Sequence, residues 1–143
     1  MFSKEESARI RQDFWTSFGK SFPRKWILYH TKIKELSFKF HFDTKKALVT
    51  MDIEGNLQKR IQYYEKMQAL HSILEEYLPE IIYEDSFLLE NGKEISRIYV
   101  EKQNVCIHNK NTWAETMEFL HTSMLLFEDF WQEYEDFIKA TQE

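Results

Sequence analysis

Two alternating runs on either side of DTKK, within residues 36–54, LSFKFHFDTKKALVTMDIE, constrain the fold of this chain more than any other feature. The apolar set is Leu36, Phe38, Phe40 and Phe42, then Ala47, Val49, Met51 and Ile53. Because successive side chains of a β-strand point to opposite faces, this period predicts an antiparallel hairpin with one buried face. The other face is polar apart from Leu48, and we expect it to be exposed to solvent.

A helix is predicted before the hairpin and another after it. The first begins at Ser3, where Glu6 completes a capping box, and ends near Gly19 and Pro23. The second follows Gly55-Asn56 and stops at Pro79. The apolar stripe of the second helix comprises Ile61, Tyr64, Met67, Leu70, Leu74 and Tyr77.

A long last helix is predicted from Thr112, which forms a second capping box with Glu115. Its apolar stripe recurs at steps of four and three residues: Trp113, Met117, Leu120, Met124, Phe127, Trp131, Tyr134 and Ile138. Such a stripe is typical of a helix that packs on the core of its own domain, and it also suits a contact between two copies of the chain.

A second β region is predicted between the last two helices. Arg97–Lys102 and Val105–His108 are expected to pair across a turn at Gln103-Asn104, with Val100 opposite Ile107. Asn91-Gly92 is a second turn signal. The stretch before it, residues 81–90, alternates poorly and only weakly indicates a strand.

These elements predict an α+β fold in the order α-ββ-α-ββ-α, with antiparallel hairpins in one sheet packed against long amphipathic helices. The 143 residues suit a single α+β domain over residues 1–143, without linkers or repeats. The lone Cys106, the absence of an apolar leader and the absence of a long apolar segment favour a cytoplasmic protein that does not enter a membrane.

The charges are divided along the chain, although the net charge is −5. Residues 20–46 hold eight basic residues against two acids, whereas residues 112–143 hold eight acids against Lys139. Within the basic segment, residues 24–46 form a strip that is the candidate nucleic-acid contact, since phosphate binding needs only positioned cations. The candidate contact residues are Arg24, Lys25, Lys32, Lys34, Lys39, Lys45 and Lys46. The alternative is a charged sheet face that binds nothing, and the negative net charge favours it.

Enzymatic signals are weak. The three glycines are isolated, so the chain has no Walker or Rossmann fingerprint, and Gly92-Lys93 fits a hairpin turn better than a phosphate loop. Asp52 and Glu54 lie on one predicted strand face, where they are expected to be solvent-exposed and are candidate ligands for a divalent cation. No Glu-x-Lys accompanies them on the hairpin, so a nuclease-like enzyme is disfavoured. Cys106 and His108 lack further metal ligands nearby. No catalytic residue and no cofactor is predicted.

Four stretches together resemble a bacterial domain-of-unknown-function family of about this length: FWTSFGKSFPRKWILYHTKIK, FKFHFDTKKALVTMDIE, GKEISRIYVE and IHNKNTWAETMEFL. None of them is a catalytic motif. Members of that family occur alone or as the C-terminal domain of larger proteins with a nuclease-like N-terminal part. The resemblance therefore implies an accessory role near DNA processing or defence, and it implies no functional residues.

Three function classes remain open on the sequence alone. The first is a binding or accessory module that contacts nucleic acid through residues 24–46. The second is a protein-binding module or homodimer formed through the C-terminal helix, and the third is a divalent-metal-dependent nuclease-like enzyme.

Overall fold

The computed structural model describes residues 2–140. Its helices are α1 Lys4–Ser21, α2 Leu57–Ala69, α3 His71–Tyr77 and α4 Trp113–Lys139. Its strands are β1 Leu36–Phe42, β2 Lys46–Ile53, β3 Ile82–Leu88 and β4 Glu94–Gln103. A short 3-10 helix, Lys110–Thr112, leads into α4. The predicted α+β class and the alternating order of helices and hairpins are confirmed, with α2 and α3 taking the place of one predicted helix.

The strands form one antiparallel sheet in the order β1-β2-β4-β3. The predicted β1–β2 hairpin is confirmed, and its register pairs Phe38 with Met51 and Phe40 with Val49. The apolar side chains of both strands therefore share one face, as period-two patterning requires. The hairpin turn is fixed by Asp43, whose carboxylate accepts the amides of Lys45 and Lys46 at 2.8 and 2.9 Å.

The prediction for the second β region is wrong in its pairing. Arg97–Lys102 lies within β4, but β4 pairs with β2 and with β3 rather than with residues 105–108. The turn at Asn91-Gly92 is confirmed, since it joins β3 to β4 and Gly92 has a φ of +87°. Residues 105–108 form a loop in which Val105 and Ile107 are buried. Apolar and polar residues alternate here because the loop buries every second side chain, and not because the segment is a strand.

The predicted second helix is interrupted near its middle. Asn56 caps α2 by accepting the amide of Lys59 at 2.9 Å, as its position before the helix predicts. The chain leaves the helix at Leu70 and resumes as α3. Ile61, predicted on the buried stripe, is instead exposed, whereas Tyr64 is buried. The buried stripe of this helix therefore begins at Tyr64 rather than at Ile61.

Capping boxes were predicted at the N-termini of α1 and α4, and only the first is present. Ser3 and Glu6 exchange the two hydrogen bonds of a capping box at 3.1 Å each. The second predicted box is wrong, because Thr112 makes no side-chain cap at α4. The Thr112 hydroxyl instead lies 3.2 Å from the amide and 2.9 Å from the carbonyl of Cys106. This threonine fixes the loop that precedes α4.

The four helices all contribute to a core on one face of the sheet. The α4 stripe supplies much of it, and Phe38 of β1 packs against Phe127 and Trp131 at ring separations of 5.5 and 5.7 Å. Phe40 is only half-buried and packs instead against Phe18 of α1. Within residues 2–140, no helix combines the length and apolar composition that crossing a bilayer requires.

Candidate functional site

The second face of the sheet has no helix packed on it within the described residues, because the core lies on the other face. Its side chains come from alternate positions of the four strands. They are Ser37, Lys39, His41, Leu48, Thr50, Asp52, Ile82, Glu84, Phe87, Ile95, Arg97, Tyr99 and Glu101. We call this surface the open face. Sequence patterning predicted its largely polar character on the first hairpin, but the expected exposure to solvent is wrong for Ser37, Leu48, Thr50 and Asp52, which are buried.

An ion pair between Asp52 and Arg97 lies at the centre of the open face. Arg97 Nε and Nη2 donate to the two oxygens of Asp52 at 2.8 and 3.0 Å, in the bidentate geometry that favours such pairs. Asp52 is 0% exposed and Arg97 is 4% exposed. The Phe87 ring covers the guanidinium at 4.4 Å. The expectation that Asp52 is solvent-exposed is therefore wrong, because neighbouring long side chains shield it in place of a helix.

Glu54, the other candidate metal ligand, is held by two lysines. Lys93 donates to one carboxylate oxygen at 2.6 Å and Lys39 to the other at 3.4 Å. Although partial burial acts in the opposite direction, these two cations hold the pKa of Glu54 below its usual value. The described residues contain no group of three or more His, Cys, Asp or Glu residues that could hold a metal ion. Asp52 and Glu54 thus face cationic side chains of the protein itself.

The seven basic residues of the 24–46 strip fall into two sets. Three contact carboxylates: Arg24 lies 2.6 Å from Glu128, Lys39 lies between Asp52 and Glu54, and Lys46 lies 3.8 Å from Glu101. The remaining four are exposed, and no ion pair joins them to another described residue. They are Lys25, Lys32, Lys34 and Lys45.

The strip is also divided in space by the length of β1. Lys32 and Lys34 precede the strand, whereas Lys45 and Lys46 follow it at the hairpin turn. Seven strand residues at about 3.3 Å each separate the two groups by roughly 20 Å or more. The residues of the strip therefore do not form one continuous patch.

A pocket of about 580 Å³ brings Lys32 and Lys34 together with Lys93, which the sequence assigned only to a hairpin turn. We call it the lysine pocket. Its lining comprises Tyr29, Lys32, Ile33, Lys34, Glu35, Leu36, Ser37, Glu54, Gly55, Asn56 and Lys93. Pairing of Ile53 with Ser96 sets the β3–β4 turn beside the end of β2, which delivers Lys93 to this site. A local charge count cannot detect such a contact.

The loop that carries Lys32 and Lys34 is held by a buried threonine. Thr31 Oγ1 lies 3.0 Å from the carbonyl of Ile33 and 2.7 Å from that of Leu36, and it accepts the amide of Ile33. Lys32 has a φ of +65°, so the chain reverses sharply there. These bonds point to a fixed loop, which gives the two lysines defined positions.

The start of α2 forms another wall of the lysine pocket. Gly55 has a φ of +102°, and a Cβ added to it would lie 2.8 Å from Glu35 Cγ. This close approach, with the bond from Glu54 N to Glu35 O at 2.7 Å, joins the loop to the helix. The first turn of α2 contains no acidic residue. Its positive N-terminal end therefore adds to the field of the nearby lysines.

Tyr29 lies at the rim of the lysine pocket and is 70% exposed. Lys39 Nζ stands over its ring at 5.8 Å from the centroid. The aromatic rings of β1 face the core, as their alternation predicts, but Tyr29 does not belong to that pattern. No periodic pattern marks Tyr29, because it lies in the irregular stretch before the strand.

Cys106 and His108 lie in the loop before α4 rather than on a strand face. His108 Nε2 lies 3.0 Å from Ser7 Oγ of α1 and its ring packs against Phe2. This contact attaches the N-terminal helix to the loop, and it brings no further metal ligand to the pair.

The fold and the site together define a two-layer α+β domain with an open sheet face and a lysine-lined pocket at one end of it. A family model described as a domain of unknown function, DUF4268, matches residues 10–135. The chain belongs to this family, which confirms the coarse part of the sequence resemblance. Comparison with curated proteins finds no match, and comparison with solved structures finds none either.

Proposed function

We propose that this domain is an accessory module that binds nucleic acid through the lysine pocket. The observation that carries the proposal is that Lys32, Lys34 and Lys93 line one cavity beside the N-terminal end of α2, whose first turn holds no acidic residue. The lining of the pocket holds these three lysines against Glu35 and Glu54, a formal local charge of +1 in a chain whose net charge is −5. Such a local excess of cations suits the phosphate groups of a polyanion.

Lys32 and Lys34 support this function most directly. Both are exposed, and neither makes an ion pair with another described residue. Thr31 holds the loop that carries them. Binding a phosphate there therefore loses less conformational entropy than binding it on a mobile loop would. Arg24, Lys46 and Lys93 contribute less than Lys32 and Lys34 to the proposed interface, because each already contacts a carboxylate.

Salt dependence of binding tests the proposal. The logarithm of the binding constant falls linearly with the logarithm of the salt concentration, and each phosphate neutralised on duplex DNA steepens this slope by about 0.9. The variant K32Q/K34Q/K93Q is expected to reduce the slope by up to about three units and to weaken binding of any sequence alike. The measurement is fluorescence anisotropy of a labelled oligonucleotide at several salt concentrations.

A matched control removes the same number of positive charges at positions of the basic segment that lie outside the lysine pocket. Lys20, Lys25 and Lys45 are exposed and do not line the lysine pocket. The variant K20Q/K25Q/K45Q changes the net charge equally and is expected to retain most of the slope. Equal losses in both triple variants would show that only the net charge matters. Absence of binding by the unchanged protein at low salt would refute the proposal.

The nuclease-like alternative is supported only by the presence of Asp52 and Glu54. Their oxygens accept hydrogen bonds from Arg97, Lys39 and Lys93, and a divalent cation would have to displace those cations. Calorimetric titration with Mn²⁺ decides this alternative. Micromolar binding that is lost in Glu54→Gln would favour the enzyme over the accessory module.

We also propose a setting for this function. The resemblance to a bacterial family with nuclease-like partner domains supports an accessory role beside a nucleolytic protein. The single cysteine supports a reducing, cytoplasmic setting.

A further inference from the structure

We infer that the lysine pocket accepts an unpaired nucleotide, with its base stacked on Tyr29 and its phosphates against Lys32, Lys34 and Lys93. This inference rests on the proposed function and makes it specific: the partner is a single strand or a strand end rather than an intact duplex. Stacking on exposed rings, combined with cations along the backbone, is the general means by which proteins hold single strands.

The first ground is the placement of Tyr29. Its side chain lies at the pocket rim and is the most exposed large hydrophobic residue of the described chain, at 70%. The backbone beneath it is constrained, because Leu28 accepts the amide of Phe38 at 3.0 Å and Ile27 accepts that of His30 at 2.7 Å. The ring contributes little to the core, yet the loop presents it at a fixed position.

The second ground is the arrangement of cations around the ring. Lys39 stands over the ring, at 5.8 Å from its centroid, and is held there by Asp52 and Glu54 at 3.6 and 3.4 Å. The carboxylates raise the pKa of Lys39 although partial burial opposes them, so this lysine stays charged. A cation on one face leaves the opposite face of the ring for a base.

The third ground is the shape of the site. A cavity of about 580 Å³ lies within the range of pockets that enclose small ligands, roughly 300–1,000 Å³. A nucleotide fits such a volume, whereas the bases of a duplex are stacked inside the helix and cannot enter it. A duplex would reach only the lysines at the rim. The concave site and the exposed ring therefore both favour an unpaired base.

The test compares Tyr29→Leu with Tyr29→Trp on two probes of equal length. One probe is a single-stranded oligothymidylate of about twelve nucleotides, within the usual site size, and the other is a duplex. Tyr29→Leu is expected to weaken single-strand binding by roughly 5- to 150-fold, the effect of losing one stacked base, and to change duplex binding by less than about twofold. Tyr29→Trp should preserve single-strand affinity.

The control is Phe137→Leu, which removes an exposed ring from α4 and should leave both affinities unchanged. A second readout is quenching of 2-aminopurine in the single strand, which should occur with the unchanged protein and be lost in Tyr29→Leu. Equal weakening of both probes by Tyr29→Leu, or no weakening of either, would overturn the stacking role while leaving the phosphate site standing. If the unchanged protein binds neither probe at low salt, the proposed function itself fails.

Discussion

Asp52 and Arg97 face each other across β2 and β4, and both are almost fully removed from water. Removing one member of a buried pair leaves the other charge without its partner, which costs about 3–5 kcal/mol. We therefore expect Asp52→Ala to lower the free energy of unfolding by that amount. Equilibrium denaturation in urea measures it.

Glu54→Ala is the matched control on the same strand end. Its side chain is 25% exposed, and its pairs with Lys39 and Lys93 are partly screened. The expected cost is about 1 kcal/mol or less. A cost for Asp52→Ala no greater than for Glu54→Ala would mean that the central pair contributes nothing beyond a surface pair.

His41 lies beside this pair on the open face, and its environment predicts a pH effect on stability. Burial, with the nearby charges of Arg97 and Lys39, lowers the pKa of His41 below its usual value, and Asp52 opposes the shift only partly. The unfolded chain therefore binds a proton near pH 6.5 that the folded protein does not. Stability should be fully present above that pH and should fall as the pH drops below it.

The variant His41→Gln should flatten this dependence between about pH 7 and pH 5. His30→Gln is the control, because His30 is exposed on the loop and its loss should leave the slope in place. The measurement is the urea midpoint at several pH values. An unchanged slope in His41→Gln would assign the effect to other groups.

At the scale of elements, the sequence predicted what depends on local period and missed what depends on distant pairing. The β1–β2 hairpin and the stripe of α4 were predictable because their periods are regular and long. The strand β3 was not, because a register shift between Glu84 and Phe87 breaks its alternation. The pairing of β4 was misassigned because buried loop residues Val105 and Ile107 imitate a strand.

The same distinction applies to the candidate site. Lys32 and Lys34 were predicted from local charge, and they do lie together. Lys93 is some sixty residues away in sequence and reaches them only through the sheet order, which no spacing rule supplies. Asp52 was placed on the correct face but given the wrong exposure, because its shielding comes from β3 and β4, whose pairing was not predicted.

Lys66 gives a prediction about the end of α4. Its ammonium group donates to the carbonyl of Ile138 at 3.0 Å and also to that of Ala140. Carbonyls at a helix C-terminus lack partners within the helix, so the Lys66 ammonium group supplies the missing hydrogen bonds. Burial lowers the pKa of Lys66. Lys66→Met should lower the free energy of unfolding by about 1–3 kcal/mol and should reduce amide protection in the last turn of α4.

Hydrogen exchange over residues 134–140 measures this loss. Lys139→Met is the matched control, since Lys139 makes only a half-exposed i,i+4 pair with Glu135 at 3.1 Å. Its cost should be about 0.5 kcal/mol or less. Equal protection in Lys66→Met and the unchanged protein would show that water replaces the ammonium group without loss.

At the scale of the whole molecule, the basic segment, residues 20–46, and the acidic segment, residues 112–143, contact each other within one chain. Glu128 of α4 accepts from Arg24 at 2.6 Å and from the amide of Ile27 at 2.8 Å. The opposite charges that could have joined two copies are thus partly satisfied within the protomer. The same contact anchors the loop that leads to Tyr29 and the lysine pocket.

The apolar seam of α4, which made a homodimer conceivable, is also used within the chain. Met124, Phe127 and Phe130 are fully buried, and Phe137 is the large apolar residue of α4 that remains exposed. Two copies docked through the outer side of this helix would oppose Asp129, Glu133 and Asp136 with their equivalents, and such like charges repel. We therefore expect the chain to be monomeric at micromolar concentration, with a mass of 17.5 kDa by light scattering.

Two single variants separate the ways in which this expectation can fail. If the mass is about twice that of the chain and Phe137→Asp restores the monomer, the dimer forms through α4 despite its charge. If Phe137→Asp has no effect and Ile61→Glu restores the monomer, the contact is the exposed apolar pair Leu57 and Ile61 on α2. Added salt provides a further check, since screening weakens repulsion between the acidic helices and would promote the first dimer. A mass that stays at 17.5 kDa in low and high salt would leave nucleic acid, rather than a second copy, as the partner to pursue.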